Sequence, residues 1–100
     1  MDDENYIRDL AGQIRIKVDG SELPDQGLDE LFDSYAVLAL SKGTNVTNED
    51  VHNAWSAWAT KYDPSNTSLV PFNELPDNVK QEDSRFTSAI REVATSLPAS

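Results

Sequence analysis

The sequence predicts a small all-α domain: a bundle of about four helices with an extended, proline-containing segment at 63–72 packed across it. Two stretches, 28–41 and 47–62, carry apolar residues at helical spacing between recognisable start and stop signals. One hundred residues with 38% hydrophobic side chains are enough for one core and too few for two. Residues 1–100 are therefore expected to form a single domain with frayed ends at 1–4 and 98–100.

The first predicted helix follows possible caps at Asp2, Asp3 and Asn5. Its apolar face consists of Tyr6, Ile7, Leu10, Ala11 and Ile14, and Val18 can extend it. Residues 14–18, IRIKV, also alternate like a short strand. We favour a helix because a lone strand has no obvious partner in the rest of the chain. Residues 19–26, DGSELPDQ, are rich in turn formers and indicate a loop.

The second helix is predicted over Leu28 to Ser41, with Leu28, Leu31, Phe32, Tyr35 and Leu38 on one face. Lys42 suits the negative end of the helix, and Gly43 suits a left-handed cap. Only residues 44–46 separate this helix from the next one. So short a connection makes the two helices neighbours.

The third helix has the best-marked start in the chain. Thr47 and Asp50 have the spacing of a capping box, and Val46 and Val51 have that of a hydrophobic staple. Its apolar face comprises Val51, Ala54, Trp55, Trp58, Ala59 and Tyr62, and Asp63-Pro64 ends it. Each indole can bury on the order of 200 Å², so we expect this helix to form the centre of the core. The alternative is an aromatic platform for a base or a peptide.

The last third of the chain is less regular. Residues 63–72, DPSNTSLVPF, are kept extended by two prolines and should direct Val70 or Phe72 inward. Asp83 or Ser84 can cap a final helix, whose apolar face is Phe86, Ile90, Val93 and Leu97, and which Pro98 ends. The pattern leaves open whether 77–97 is one helix or two.

The charge and composition of the chain narrow the classes of partner. The net charge of −10, from 18 acids and 8 bases, disfavours direct binding to nucleic acid and leaves room for a basic protein partner. The simpler interpretation is that the charge maintains solubility. Cysteine is absent, the start MDDENYIRDL does not resemble a signal peptide, and no apolar run is long enough to span a membrane. We therefore expect a cytoplasmic protein with no membrane association.

Two arrangements of residues are partly similar to known chemical sites, a calcium loop and a histidine-based catalytic set. A calcium loop counted from Asp63 would use Asp63, Ser65, Thr67 and Glu74, but Ser68 occupies the position where an EF-hand needs glycine. His52 is the only histidine, and no serine lies in a nucleophile-elbow context, so we expect His52 to be structural or exposed. The sequence predicts no metal site, no cofactor and no enzyme activity.

A family resemblance emerges from the spacing V-H-x-x-W, followed by L-V-P-F-x-E-L-P-x-x-V-K-x-x-D, between Val51 and Asp83. This pattern resembles the prokaryotic RyR-type domain, a small helical module. Nearly the whole chain, including LFDSYAVLALSKG, resembles short uncharacterised proteins of actinobacteria and their phages. The RyR resemblance implies a ligand or interaction module, with nucleotide-derived signals among the ligands. Here the segment between the tryptophan and the Pro-aromatic element is shortened to 59–68, a departure from the RyR pattern.

Two functional hypotheses follow. In the first, the chain is a non-enzymatic interaction protein, plausibly encoded by a phage and acting in the host cytoplasm, that engages a cellular protein through Asp29, Glu30 and Asp33 or through its N-terminal acids. In the second, which follows the RyR resemblance, it binds a small nucleotide-derived ligand near His52, Trp55, Tyr62 and Phe72. Neither hypothesis predicts the oligomeric state.

Overall fold

The computed structural model describes residues 3–18 and 26–97, and every regular element in these ranges is helical. In chain order these are α1 (Asp3–Lys17), α2 (Leu28–Lys42), α3 (Asn48–Tyr62), α4 (Asp77–Glu82) and α5 (Ser84–Thr95). Single 3-10 turns at Gly43–Asn45 and Phe72–Glu74 follow α2 and precede α4. The predicted all-α class is confirmed, with four long helices and one short helix in a body of 39 × 25 × 24 Å.

The N-terminal region is helical, although the sequence also allowed a short strand at 14–18. Helix α1 continues to Lys17, so residues 14–17 are helical and the strand alternative is wrong. Most of the predicted 19–26 loop lies outside the described residues, as do residues 1, 2 and 98–100 of the expected frayed ends. Among the described residues, no helix is both long and apolar enough to cross a membrane.

The predicted start and end of α3 are confirmed in detail. The Asp50 amide donates to Thr47 Oγ1 at 3.2 Å, and the Thr47 amide donates to Asp50 Oδ2 at 3.0 Å, which completes the capping box. The Lys42 ammonium group lies 3.1 Å from the same carboxylate. Burial raises the pKa of Asp50, but these hydrogen bonds and the Lys42 charge outweigh it, so the pKa lies below its ordinary value. The helix ends at Tyr62, as the Asp63-Pro64 pair predicts.

The core forms where the apolar stripes of α1, α2, α3 and α5 meet. Helix α1 packs against α2 and α5, and α3 also packs against α2 and α5. The core residues with almost no exposed surface include Leu10, Ile14, Tyr35, Val46, Val51, Ile90 and Val93. Burying a side chain of this size stabilises the fold by about 1.5–3 kcal/mol relative to leaving it exposed.

The two indoles differ in their surroundings. Trp58 is buried, and its Nε1–H is shared between the carbonyl oxygens of Gln26 at 3.2 Å and Gly27 at 3.1 Å. Tyr62 stacks on Trp58 with a centroid distance of 5.6 Å. Trp55 is half-buried and packs against the edge of the core. Both indoles were expected to be buried; Trp58 is buried, and Trp55 is only half-buried.

Residues 63–72 form turns over most of their length and become extended only near Pro71. The Asn66 amide bonds to the Asp63 carbonyl, and the Leu69 amide bonds to the Asn66 carbonyl, each at 3.1 Å. Pro71 then adopts an extended conformation with ψ near 145°. Val70 is exposed and Phe72 is half-buried, so of the two residues predicted to point inward only Phe72 is partly covered.

The sequence left open whether 77–97 is one helix or two. The structure has two, α4 and α5, which meet at Asp83. Asp83 has helical dihedral angles, φ −71° and ψ −22°, and its side chain makes no capping hydrogen bond. The prediction that it caps α5 is wrong because a capping residue must leave the helical region to bring its side chain over the first amides. Its carboxylate is free to turn toward the interior.

Candidate functional site

A cavity of about 250 Å³ lies between α2, α3, the turns after α3 and the α4–α5 junction. Four parts of the chain line it: Leu31 and Tyr35 from α2, His52 and Trp55 from α3, Asn66 and Ser68 from the turns, and Val79, Glu82, Asp83, Arg85 and Phe86 from the junction and its flanking helices. The short link between α2 and α3 and the buried staple residues Val46 and Val51 hold the two helices that form its walls. The cavity therefore combines aromatic, acidic and basic groups from distant parts of the sequence.

Asp83 is the least satisfied polar group of the cavity. Its side chain is only 17% exposed, and its Oδ2 is buried without a hydrogen-bond partner among the described residues. Burial raises the pKa of Asp83 to about 6; the His52 ring opposes this shift, and the Glu82 charge adds to it. Asp83 therefore exchanges a proton near neutral pH, unlike an ordinary aspartate.

His52 is buried and held by the backbone. Its Nε2 lies 2.7 Å from the carbonyl oxygen of Val70, and because a carbonyl can only accept, Nε2 carries the proton and donates. The hydroxyl of Ser56 lies 3.4 Å from the same nitrogen. The other nitrogen, Nδ1, is directed toward Asp83, 4.0 Å from Oδ2. This distance is too long for a direct hydrogen bond.

Aromatic rings surround this pair. Trp55 stacks on His52 with centroids 5.6 Å apart and an angle of 26° between the ring planes. On the opposite wall, Tyr35 and Phe86 lie 5.6 Å apart. Burial, and secondarily the negative charge of Asp83, hold the pKa of the Tyr35 hydroxyl far above its usual range. Tyr35 is therefore a neutral phenol at any physiological pH.

The structure brings together two of the four residues predicted to bind a ligand. His52 and Trp55 line the cavity, whereas Tyr62 and Phe72 are not among its lining residues. Tyr62 packs on Trp58, and Phe72 lies behind His52 at a centroid distance of 6.0 Å, with the Lys80 ammonium group 5.3 Å from its ring. Phe72 instead lines a second, shallower cleft beside the start of α3.

Sequence reasoning missed Asp83 as a residue of the cavity. The sequence does contain a signal for Asp83. It lies three residues before Phe86 and seven before Ile90, which places it on the apolar face of the last helix. A carboxylate on that face must be either paired or functional. The prediction that Asp83 caps the helix accounted for the carboxylate without requiring a partner or a function.

The predicted partner surface lies on the exposed side of α2, apart from the cavity. Arg8 donates to Asp33 through Nε at 3.1 Å and Nη2 at 3.0 Å, and its Nη1 lies 3.5 Å from Asp29. Lys61 lies 3.2 Å from Glu30, which raises the pKa of the lysine. All three predicted acids thus have a cationic partner within the chain, so the surface carries less net charge than the acids alone suggest.

The predicted calcium loop folds as two consecutive turns. The Asp63 carboxylate accepts from the Asn66 amide group at 2.9 Å, and Asn66 Oδ1 accepts from the Ser68 amide at 2.8 Å. Ser65, Thr67 and Glu74 are exposed around these turns. Within residues 3–18 and 26–97, no three His, Cys, Asp or Glu side chains come close enough to hold a metal ion.

Comparison with known proteins identifies the family. No curated protein and no solved structure matches the chain. One family model covers nearly the whole sequence, as expected of a relative of uncharacterised proteins. An RyR-type relationship and a phage origin stay predictions. A domain family of unknown function, DUF7701, matches residues 5–95, and the chain belongs to it.

Proposed function

We propose that this domain binds a small molecule in the cavity between α2, α3 and the α4–α5 junction. The observation that carries the proposal is the buried Oδ2 of Asp83, which lacks a hydrogen-bond partner among the described residues. An unsatisfied buried acceptor costs about 1–3 kcal/mol, and folded proteins keep few of them. A ligand that donates to this oxygen would remove that cost on binding.

The size of the cavity limits the ligand. Its volume of about 250 Å³ exceeds the roughly 150 Å³ of a cavity known to accept benzene and falls just below the roughly 300–1,000 Å³ typical of drug-sized ligands. A single ring with a short substituent fits these dimensions. Of a nucleotide-derived ligand, only the base would enter, and its phosphates would lie outside.

The site is better suited to binding than to catalysis. The only histidine of the chain uses one nitrogen to hold the Val70 carbonyl. The phenol of Tyr35 keeps its proton, so it supplies a donor and no base. What the cavity offers is aromatic surface and a few fixed polar atoms, the composition of a ligand pocket.

The indole N–H signals of Trp55 and Trp58 test the proposal in proton–nitrogen correlation spectra, because only Trp55 lines the cavity. A panel of polar metabolites, including nucleotides and amines, should contain compounds that shift the Trp55 signal and leave Trp58 in place. The variant Val79→Phe fills the cavity and should abolish these shifts. The matched control Val37→Phe, on the exposed side of α2, should keep them. Absence of any Trp55 shift, or persistence of the shifts in Val79→Phe, would contradict the proposal.

The exposed face of α2 supports a second candidate, binding of a protein partner. Glu30, Asp33, Val37 and Leu40 recur at helical spacing, and Val37 and Leu40 are 48% and 44% exposed. A face that is acidic at one end and apolar at the other fits an amphipathic helix with basic residues. The net charge of −10 would accelerate association with such a partner.

Two charge variants test the second candidate. Replacing Asp29, Glu30 and Asp33 with their amides should abolish capture of the partner from a lysate. A control that removes three acids elsewhere, Glu49, Glu74 and Asp77, should retain capture at low and at physiological salt. Equal capture by both variants would show that the α2 face is not the binding surface.

We further propose that the protein acts inside the cell, in the host cytoplasm if a phage encodes it. The lack of cysteine suits a reducing compartment. Gene neighbourhood tests this: neighbours among early phage genes support a phage origin, whereas a signalling or defence operon favours a cellular ligand-binding role.

A further inference from the structure

Two polar groups that approach each other in the cavity, His52 Nδ1 and Asp83 Oδ2, are both hydrogen-bond acceptors. Because Nε2 of His52 donates to the Val70 carbonyl, Nδ1 of the neutral ring carries a lone pair. The ionised carboxylate of Asp83 also accepts only, through an Oδ2 that has no partner in the described parts of the chain. The pair therefore lacks a donor.

The distance between them defines the shape of the missing donor. Nδ1 and Oδ2 are 4.0 Å apart, and a nitrogen placed about 2.9 Å from each would see them at an angle of about 90°. Two N–H bonds of an ammonium group open at about 110°, so each hydrogen bond bends by only about 10° from linear. A hydroxyl has one O–H and can donate to only one of the two acceptors.

The surroundings favour a positively charged or strongly polarised nitrogen. Asp83 and Glu82 contribute two negative charges to the lining, and the faces of aromatic rings attract cations. The one arginine of the lining, Arg85, is exposed and lies 5.3 Å from the Phe86 ring. A ligand carboxylate or phosphate placed at Asp83 would meet like charge.

We propose that the ligand is a small primary amine or amidine whose nitrogen donates both to Asp83 Oδ2 and to His52 Nδ1, with its apolar body against Trp55. This inference rests on the proposed ligand-binding function and assigns the chemical class of the ligand. The volume of about 250 Å³ restricts the body to about a single ring with a short substituent.

Four probes that share one benzene ring test the inference: benzylamine, benzamidine, benzyl alcohol and benzoate. Near neutral pH, titration followed at the Trp55 indole signal should give dissociation constants for the two amine-type probes at least about tenfold lower than for the alcohol, because one charge-assisted donor pair is lost in the alcohol. Benzoate should not bind at millimolar concentration.

Two variants separate Asp83 from a general effect of negative charge. Asp83→Asn keeps the size of the side chain and removes its charge, and it should weaken benzylamine binding about tenfold or more while leaving benzyl alcohol unchanged. Glu82→Gln removes a neighbouring, exposed acid and should change benzylamine binding by less than about threefold.

The pH dependence gives an independent readout. The groups that face Asp83 are His52, Glu82, Arg85 and the neutral hydroxyl of Tyr35. Because the pKa of Asp83 is about 6, its carboxylate takes up a proton as pH falls through 6. Benzylamine binding should weaken about tenfold between neutral pH and pH 5, and benzyl alcohol binding should not change. In Glu82→Gln the midpoint should move to lower pH, because the Glu82 charge helps to raise the pKa of Asp83.

The outcomes separate this inference from the function on which it rests. If benzyl alcohol or benzoate binds as tightly as benzylamine, or if Asp83→Asn leaves benzylamine binding intact, the amine assignment is overturned and the cavity remains a ligand site. If no probe and no metabolite shifts the Trp55 signal, the ligand-binding function fails and the amine assignment fails with it.

Discussion

At the scale of single residues, Asp83 is placed under two conflicting demands. It occupies the junction between α4 and α5 in a helical conformation, and the same conformation turns its carboxylate toward His52 and away from water. A charge in such a place lowers stability unless it is paired. Carboxylates with a raised pKa are concentrated at functional sites, and the ligand-binding role proposed for the cavity agrees with this placement.

Asp83→Asn should therefore stabilise the domain at neutral pH, by about 2–3 kcal/mol, which is the free energy that corresponds to a pKa raised from 3.8 to about 6. The sign follows from proton binding: between these two pH values the folded state binds more protons than the unfolded state, so the stability of the native protein falls as pH rises. Urea unfolding between pH 4 and pH 7 should show this decline in the native protein and not in Asp83→Asn. The control Glu82→Gln should decline like the native protein, and an unchanged slope in Asp83→Asn would contradict the assignment.

Gly27 is a second residue whose identity is tightly constrained. Its φ of +64° is a left-handed conformation, and an added Cβ would clash with the Tyr62 ring and lie 2.7 Å from Trp58 Nε1. Gly27→Ala should cost about 3 kcal/mol or more, because backbone strain and displacement of the Trp58–Tyr62 stack add together.

Two other glycines serve as controls for Gly27→Ala in thermal unfolding. Gly43 has a φ of +59° and open space around it, so Gly43→Ala should cost only backbone strain, about 1–3 kcal/mol. Gly12 lies in the exposed interior of α1, where alanine should add about 0.5–1 kcal/mol of stability. A Gly27→Ala variant no less stable than Gly43→Ala would show that the Trp58–Tyr62 stack moves without cost.

At the scale of elements, the start of α3 has the strongest local encoding. Thr47→Ala removes the acceptor for the Asp50 amide and should lower the free energy of unfolding by about 1 kcal/mol. Asp50→Ala removes the reciprocal bond and the Lys42 contact; its effect should be present above pH 4 and fade below it, because a carboxylate with a lowered pKa stabilises only while ionised. Urea unfolding measures both, with the exposed Thr60→Ala as a near-neutral control. A pH-independent effect of Asp50→Ala would contradict the role of its charge.

The predicted elements succeed where signals are local and fail where they are not. The capping box of α3 and the helical period of α2 lie within a few residues, so the sequence determines those helices directly. Tyr62 shares a face with Trp55, but seven residues of helix separate them by about 10 Å, which takes Tyr62 beyond the cavity. Periodicity predicts the face of a helix, and it carries no information on which neighbour covers each turn.

The site itself could be predicted only in part, for a related reason. His52 and Trp55 stand out in the sequence as rare residue types one turn apart. Asp83 becomes a site residue only through its approach to the His52 ring, 31 residues earlier in the chain. The sequence predicts an extended segment at 63–72 because of Pro64 and Pro71. The Asn66 side chain, which bonds to Asp63 and Ser68, closes the chain into turns instead.

At the scale of the whole molecule, the net charge of −10 sets the response to salt. Raising ionic strength from about 0.01 M to about 0.15 M shortens the Debye length from about 30 Å to about 8 Å and so weakens repulsion among the acids. The melting temperature should rise by a few degrees, since about 1 kcal/mol shifts a domain of this size by roughly 4–8 °C.

Scanning calorimetry at increasing NaCl concentration measures this effect. A variant with Glu74→Gln and Asp77→Asn carries two fewer negative charges and should respond less. A melting temperature that falls with salt would mean that surface ion pairs such as Arg8–Asp33 and Lys61–Glu30 outweigh the repulsion, against the small energies expected of exposed pairs.

The hydrogen bond from His52 Nε2 to the Val70 carbonyl does not depend on the side chain at position 70. Because the imidazole is held by a main-chain oxygen and the valine side chain faces solvent, almost any amino acid at position 70 preserves the contact. Substitutions at position 70 that leave the backbone in place should therefore leave the ring oriented as it is. Covariation between positions of homologous sequences would therefore not detect this hydrogen bond. A change that moves the backbone, such as a deletion within the 63–70 turns, would reveal it.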